Sequence, residues 1–148
     1  MIRVTDVKDA DQIHCLLLQF DCVMPHLKEK VADYRVFSEK LSRFARVCVI
    51  GEETVQGMVV FYANDSAEKS AYISLLACMP KHQGRGLGRQ LMEYACMESV
   101  AAGMEKMRLE VDLDNPGAIA FYRKLGFAAA GEQMSNSMYL EKKLAQGV

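Results

Sequence analysis

Cysteine and histidine spacings that could hold a metal are missing from this chain. Cys15, Cys22, Cys48, Cys78 and Cys96 are scattered, with no Cys-x-x-Cys, and His14, His26 and His82 share no ligand spacing. That argues against a zinc site and for free thiols in a reducing cytosol; no metal is expected. Excess charge is missing too. The 18 basic and 19 acidic side chains leave a net charge of −1. Such a surface has no general pull towards nucleic acid or an anionic membrane, and neither is expected as a partner. No apolar run reaches membrane length, and Met1-Ile2-Arg3-Val4 starts directly as strand-like sequence with no signal peptide. A cytoplasmic location is expected. Repeats and low-complexity tracts are also absent. What is present is ordinary: 148 residues, 51% hydrophobic and 25% charged, the size of a single domain (1–148) with one core.

One stretch organises the rest. Ala71 to Met79 is apolar and strand-like, and Pro80 closes it. Lys81-His82-Gln83-Gly84-Arg85-Gly86-Leu87-Gly88 reads as a turn. A helix follows, because Leu87, Leu91 and Ala95 form one row and Gly88, Met92, Cys96 and Val100 the next. Gly103 is its expected stop. Three glycines in five residues allow a tight bend and a close ligand approach. The first amides of a helix have no partner within it and carry partial positive charge, so the natural guest is a polyphosphate. Arg85 adds a full charge. A P-loop is excluded, since no Lys-Ser or Lys-Thr follows the glycines. A dinucleotide fingerprint fails as well, with Leu91 where its third glycine belongs.

The remaining elements follow in order. Ile2 to Thr5 is a short strand. Asp9 and Gln12 make a capping box, and Ile13, Leu16, Leu17 and Phe20 form the stripe of the helix behind it. Cys15 and Cys22 lie off that stripe and read as inert packing residues. Val23 to Lys30, with Pro25, is a connector. Tyr34, Phe37, Leu41 and Phe44 give the next helix a core-facing stripe. Val47 to Ile50 is a buried strand, Gly51 to Thr54 a hairpin turn and Val55 to Ala63 its partner, with Gly57 at a bulge or a close contact. Asn64 to Lys69 is a polar turn. Lys106 to Asp112 is a strand, so strand, helix and strand form a right-handed parallel crossover. Asn115 caps a helix opened by Pro116 and ended by Gly126. Phe127 to Gly131 and Met134 to Leu144 read as closing strands, and Gln146-Gly147-Val148 as a loose tail.

Two segments together carry a family resemblance. Gln83-Gly84-Arg85-Gly86-Leu87-Gly88 resembles the Gln/Arg-x-x-Gly-x-Gly/Ala pyrophosphate motif of the GNAT superfamily of N-acetyltransferases. Asn115-Pro116-Gly117-Ala118-Ile119-Ala120-Phe121-Tyr122-Arg123-Lys124-Leu125-Gly126-Phe127 looks like that family's second signature, Asn-x-x-Ala-x-x-x-Tyr-x-x-x-Gly-Phe. The resemblance is motif-specific from about Ile73 to Phe127 and architectural from Met1 to Leu144. It implies an α/β (α+β) fold: a mixed, mostly antiparallel sheet of about seven strands with a central parallel pair, flanked by about four helices.

It also implies roles. Acetyl-CoA would be the cosubstrate. Backbone groups of Leu76, Ala77 and Cys78 would pair with pantetheine, and one of their amides would polarise the thioester carbonyl. Gln83, Gly84, Arg85, Gly86, Leu87 and Gly88 would hold the pyrophosphate. Asn115 would contact the pantetheine arm, or serve only as the helix cap. Tyr122 would protonate the departing thiolate, unless it is simply a packing aromatic. Some family members place a glutamate five residues before the asparagine, which makes Glu110 the candidate base for the acceptor ammonium. Glu110, Asp112 and Asp114 alternate, so they can share an acidic face that suits a cationic acceptor; a solvated strand edge would look the same. Tyr34 and Phe37 can border the acceptor pocket, with Asp112. A covalent route through Cys78 would need a neighbouring histidine to generate thiolate, and none is placed there.

The leading function is therefore N-acetylation of a small-molecule amine by direct attack, in a monomer or homodimer. Acetylation of a protein N-terminus or lysine is the alternative, with the Glu110, Asn115 and Tyr122 spacing of ribosomal-protein N-terminal acetyltransferases. A non-catalytic acyl-CoA-binding module is a third reading, and it leaves Glu110 and Tyr122 without purpose.

Overall fold

The computed structural model of the chain describes residues 3–24 and 27–144. Ile2, Pro25 and Gln146-Gly147-Val148, each part of a reading above, lie outside them. Seven strands and five α-helices occur among the described residues. They are β1 (Arg3–Asp6), α1 (Ala10–Phe20), α2 (Leu27–Lys30), α3 (Tyr34–Phe44), β2 (Arg46–Gly51), β3 (Gly57–Tyr62), β4 (Ser70–Cys78), α4 (Leu87–Ala101), β5 (Lys106–Asp112), α5 (Pro116–Lys124), β6 (Ala128–Ala129) and β7 (Ser137–Lys143). The strands form one mixed sheet in the order β1-β2-β3-β4-β5-β7-β6. The β1–β2, β2–β3, β5–β7 and β6–β7 pairs are antiparallel. β4 and β5 are the parallel pair, running from Ser70 opposite Lys106 to Ile73 opposite Leu109. The expected fold class is thus the observed one.

The chain forms two compact units. The first comprises the residues up to Tyr62 and Ser74–Ala95; the second comprises Ala63–Ile73 and the residues from Cys96 onwards. In the first, Asp9 caps α1 by accepting from the Gln12 amide at 3.0 Å. The α1 stripe Ile13, Leu16, Leu17 and Phe20 is buried against Leu41, Val47, Met58 and Val60. Leu87, Leu91 and Ala95 of α4 are buried as their spacing requires. The helix is also tied to β1, where Tyr94 Oη donates to Asp6 Oδ1 at 3.3 Å. Burial alone would raise the Asp6 pKa, but hydrogen bonds from Cys48, Arg46 and Tyr94 and the Arg46 charge hold it below the usual value.

Gly57 proves to be the close contact. A Cβ there would stand 3.0 Å from Leu91 Cδ1, 3.1 Å from Ile50 Cγ2 and 3.4 Å from the Ala77 carbonyl oxygen. The Leu91 methyl is the end of a flexible side chain and can yield to one methyl group. It cannot yield to a branched one without pushing the Ile50 side chain and β4 backbone. Gly57→Ala is expected to cost under about 1 kcal/mol and Gly57→Val about 2–3 kcal/mol in denaturant melts. Equal stability of the two variants would show that this packing is not tight.

In the second unit, Met107, Leu109 and Val111 alternate into the core with Leu140 from β7 and Phe127 after α5. α4 ends as its glycine predicts. Gly103 has φ +90°, and the Met104 amide reaches back to the Ser99 carbonyl at 2.9 Å.

Several expectations need correction. Cys15 and Cys22 are exposed rather than packed. Cys15 lines an apolar pocket of about 390 Å³ with Val7, Leu16, Val49 and Val55. Phe44, the last residue of α3 before the Ala45 cap and β2, is 57% exposed. The short α2 and 3₁₀ turns at Asp21–Val23 and Pro80–His82 were not foreseen. Asp114 falls in a turn beyond β5, where the Asn115 amide bonds back to the Asp112 carbonyl. Strand alternation therefore does not extend to it. The closing strands are shorter than expected: β6 is two residues long, and β7 starts only at Ser137. The preceding segment turns, with the Met134 amide bonded to the Ser137 carbonyl at 2.9 Å.

Candidate active site

In the first unit, the turn before α4 has the geometry that an anion needs. Gly84 and Gly86 have φ of +83° and +81°, values that side chains resist. A Cβ at either position would meet nothing within 4 Å. The glycines are therefore required by backbone conformation, and the space above them is open. The first bond of α4 runs from the Gln90 amide to the Gly86 carbonyl at 3.0 Å. The amides of Leu87, Gly88 and Arg89 precede it and have no acceptor one turn back within the helix. Leu87 is 3% exposed, so its side chain anchors the start of the helix in the core. Arg85 is exposed, with Nη1 3.5 Å from His82 Nδ1. Gln83 folds back, its Nε2 donating to the Cys78 carbonyl at 3.2 Å. That contact joins the turn to the Leu76-Ala77-Cys78 end of β4. Open space, positive-φ glycines, helix amides and a guanidinium make a donor set that fits a pyrophosphate.

Cys78 is half-buried, and burial pushes its thiol pKa up. This favours the protonated form, which is the opposite of what a covalent route through a Cys78 thiolate would need. Tyr34 and Phe37 pack against the α1 core cluster, which also contains Ala77. The Tyr34 hydroxyl donates to Asp21 Oδ1 at 2.6 Å. Its pKa is pushed up to about 12, first by burial and then by the bond to Asp21 and that residue's charge.

In the second unit, Glu110 is exposed, near the end of β5. Its Oε2 accepts a hydrogen bond of 2.6 Å from Ser137 Oγ on β7. Tyr139 is its cross-strand partner, and Asp112 stands opposite Ser137. Tyr72 on β4 belongs to the same surroundings. Its pKa is pushed up to about 12, mainly by burial and further by the Glu110 charge and Tyr139, with Arg108 opposing. Arg108 lies over the Tyr139 ring, 4.9 Å from its centre, and bonds Glu141 at 3.4 Å.

Asn115 caps α5, its side-chain oxygen accepting from the Ala118 amide at 3.1 Å. Tyr122 is half-buried on α5, edge-on to Phe121 and Phe127 with ring centres 5.3 and 5.8 Å away. The Phe127 amide bonds the Tyr122 carbonyl at 3.1 Å, so the Gly126-Phe127 end of the motif fixes the tyrosine's turn of helix. The sequence reading missed Ser137, Tyr72 and Tyr139 as neighbours of Glu110. Their alternation along β4 and β7 was visible, but nothing in a single sequence supplied the β5–β7 register. Among the described residues there is no group of three metal-ligating side chains, and no helix is long and apolar enough to cross a membrane.

Comparison with known proteins adds an independent line. The family model for the acetyltransferase (GNAT) family matches residues 14–127. The N-alpha-acetyltransferase MAK3 of Arabidopsis thaliana is 36% identical over 59 residues, 40% of this chain and 31% of that protein. N-alpha-acetyltransferase 30 of Schizosaccharomyces pombe is 25% identical over 114 residues, 76% of this chain and 74% of that protein. The chain thus spans less than a third of the plant relative and about three quarters of the yeast one. In structure, the ribosomal-protein-S18-alanine N-acetyltransferase of Escherichia coli has the same fold. Its TM-score is 0.73 at 17% identity, over 100% of this chain and 97% of that one.

Proposed function

Since the chain belongs to the acetyltransferase (GNAT) family, we propose that it moves an acetyl group from acetyl-CoA to a primary amine. The observation that carries this reading is the Gln83–Gly88 turn. Two positive-φ glycines and the start of α4 present open backbone amides where the family's motif calls for a pyrophosphate. Residues 1–148 act as one acyltransferase domain in the cytoplasm. Support for the single domain comes from the family match, which runs through residues of both compact units.

The chemistry follows from the residue types. Glu110 takes a proton from the acceptor ammonium, directly or through water. The neutral amine attacks the thioester carbon, the C–S bond breaks, Tyr122 gives its phenolic proton to the departing sulfur, and the second proton of the attacking nitrogen leaves through water to restore the phenol. A backbone amide of Leu76 to Cys78 steadies the charge on the carbonyl oxygen. Asn115 orients the pantetheine arm while capping α5. Tyr34, Phe37 and Asp112 border the acceptor.

For the acceptor, the protein α-amine now stands ahead of the small amine that the sequence alone put first. Both relatives named above are N-alpha-acetyltransferases. The test is CoA release with short peptides bearing a free α-amine, the same peptides blocked at that amine, polyamines, amino sugars and amino acids. The free peptides are expected to exceed the others by at least about tenfold in kcat/KM. Turnover confined to small amines would reverse the choice of acceptor. Failure of every amine to release CoA would remove the acetyltransferase reading itself.

A further inference from the structure

We propose that Ser137 is a positioning residue for Glu110, holding one carboxylate oxygen so that the other is presented to the acceptor nitrogen. The proposal rests on the reading of Glu110 as base. Three observations support it. Ser137 is one of the few buried polar side chains among the described residues, at 7% exposure, whereas Glu110 is exposed. A buried hydroxyl must place its single proton on an acceptor, and here that acceptor is Glu110 Oε2 at 2.6 Å. The bond also crosses between strands on a diagonal, because the direct partners are Glu110 with Tyr139 and Asp112 with Ser137.

The consequence lies in the carboxylate's geometry. An exposed glutamate on a strand samples several side-chain rotamers, and only some of them point at a given proton. Ser137 is itself held at both sides. Its carbonyl accepts from the Met134 amide at 2.9 Å, and the Asn136 carbonyl before it accepts from the Leu113 amide at 2.9 Å. The hydroxyl is therefore a fixed point at the start of β7, and the bond to it removes rotational freedom from Glu110. An ionised carboxylate has four acceptor sites, so one bond leaves Oε1 able to take a proton. Placing a reacting group in advance raises the rate of the chemical step and leaves ligand binding largely unchanged.

The test is a double-mutant cycle with rescue, run with the most active member of the peptide and amine series above. Ser137→Ala should lower kcat by about tenfold, with KM for acetyl-CoA unchanged. Ser137→Thr keeps the hydroxyl and should restore most of that loss. In a Glu110→Gln background, Ser137→Ala should cost nothing more, because the carboxylate it positions is gone. Melting temperatures of all variants monitor folding. Independent, multiplying losses from the two substitutions would overturn the positioning role, as would equal losses in the Ala and Thr variants. A slow Glu110→Gln variant beside a fully active Ser137→Ala variant would also overturn it, with the base reading intact. A fully active Glu110→Gln variant would instead remove the base reading on which the proposal rests.

Discussion

Gly86→Asp is expected to abolish the rise in melting temperature that acetyl-CoA should give the wild-type protein. A ligand at a hundred times its dissociation constant stabilises the folded state by about 2.7 kcal/mol. In a domain of this size that is roughly 5–10 °C. The aspartate puts a negative charge at the start of α4, where the pyrophosphate is proposed to sit. Part of its effect is unrelated to the ligand, since φ of +81° strains any side chain, by about 1–2 kcal/mol. Gly103 supplies the control. It has φ +90° at the other end of the same helix, and a Cβ there also meets nothing within 4 Å. Gly103→Asp should therefore lower stability comparably yet retain the full acetyl-CoA shift. A retained shift in folded Gly86→Asp, equal to that of Gly103→Asp, would remove the turn as the cosubstrate's site.

Tyr122→Phe is expected to lower turnover by roughly tenfold to a thousandfold while acetyl-CoA affinity stays near wild type. The substitution keeps the ring and its edge-on contacts with Phe121 and Phe127, so only the hydroxyl is lost. A thiol such as CoA ionises near pH 8.5, so its thiolate can leave unaided and water can replace the phenol. That sets the lower end of the range. The measurement is kcat under conditions where chemistry limits the rate, together with the acetyl-CoA thermal shift. Wild-type kcat in the variant would assign the proton to water or another group. A loss of the thermal shift would instead make Tyr122 a binding residue.

Local signals carried most of the architecture. Asp9, Asn115, Gly103 and Gly126 act at the helix ends where capping chemistry put them. The α1 stripe and the Leu87 row are buried because a 3.6-residue period leaves no other face for the core. The parallel pair followed from a helix long enough to cross over between two strands. What escaped depends on tertiary neighbours. The last closing strand was read three residues too long at its start, because Met134 looks like a core residue while its amide closes a turn. Phe44 obeys the helical stripe, but as the last residue of α3 it stays exposed. The site divides in the same way. The glycine turn is a local motif and was readable. The bond from Ser137 to Glu110 joins residues 27 positions apart and depends on a strand register that no local pattern encodes.

The exposure of Cys15 and Cys22 bears on how turnover can be observed. Free CoA is commonly detected through its thiol, by an electrophile that releases a chromophore. The protein offers the same reagent its own sulfhydryls, two of them exposed on every chain, while Cys48 is buried. The signal should open with a fast burst proportional to protein rather than to acceptor, followed by the steady release that reports catalysis. Replacing Cys15 and Cys22 with serine should shrink the burst and leave the slope intact. In oxidising buffer the same thiols can join two chains through a disulfide, so an apparent dimer that vanishes on reduction reports sulfur chemistry rather than a native interface.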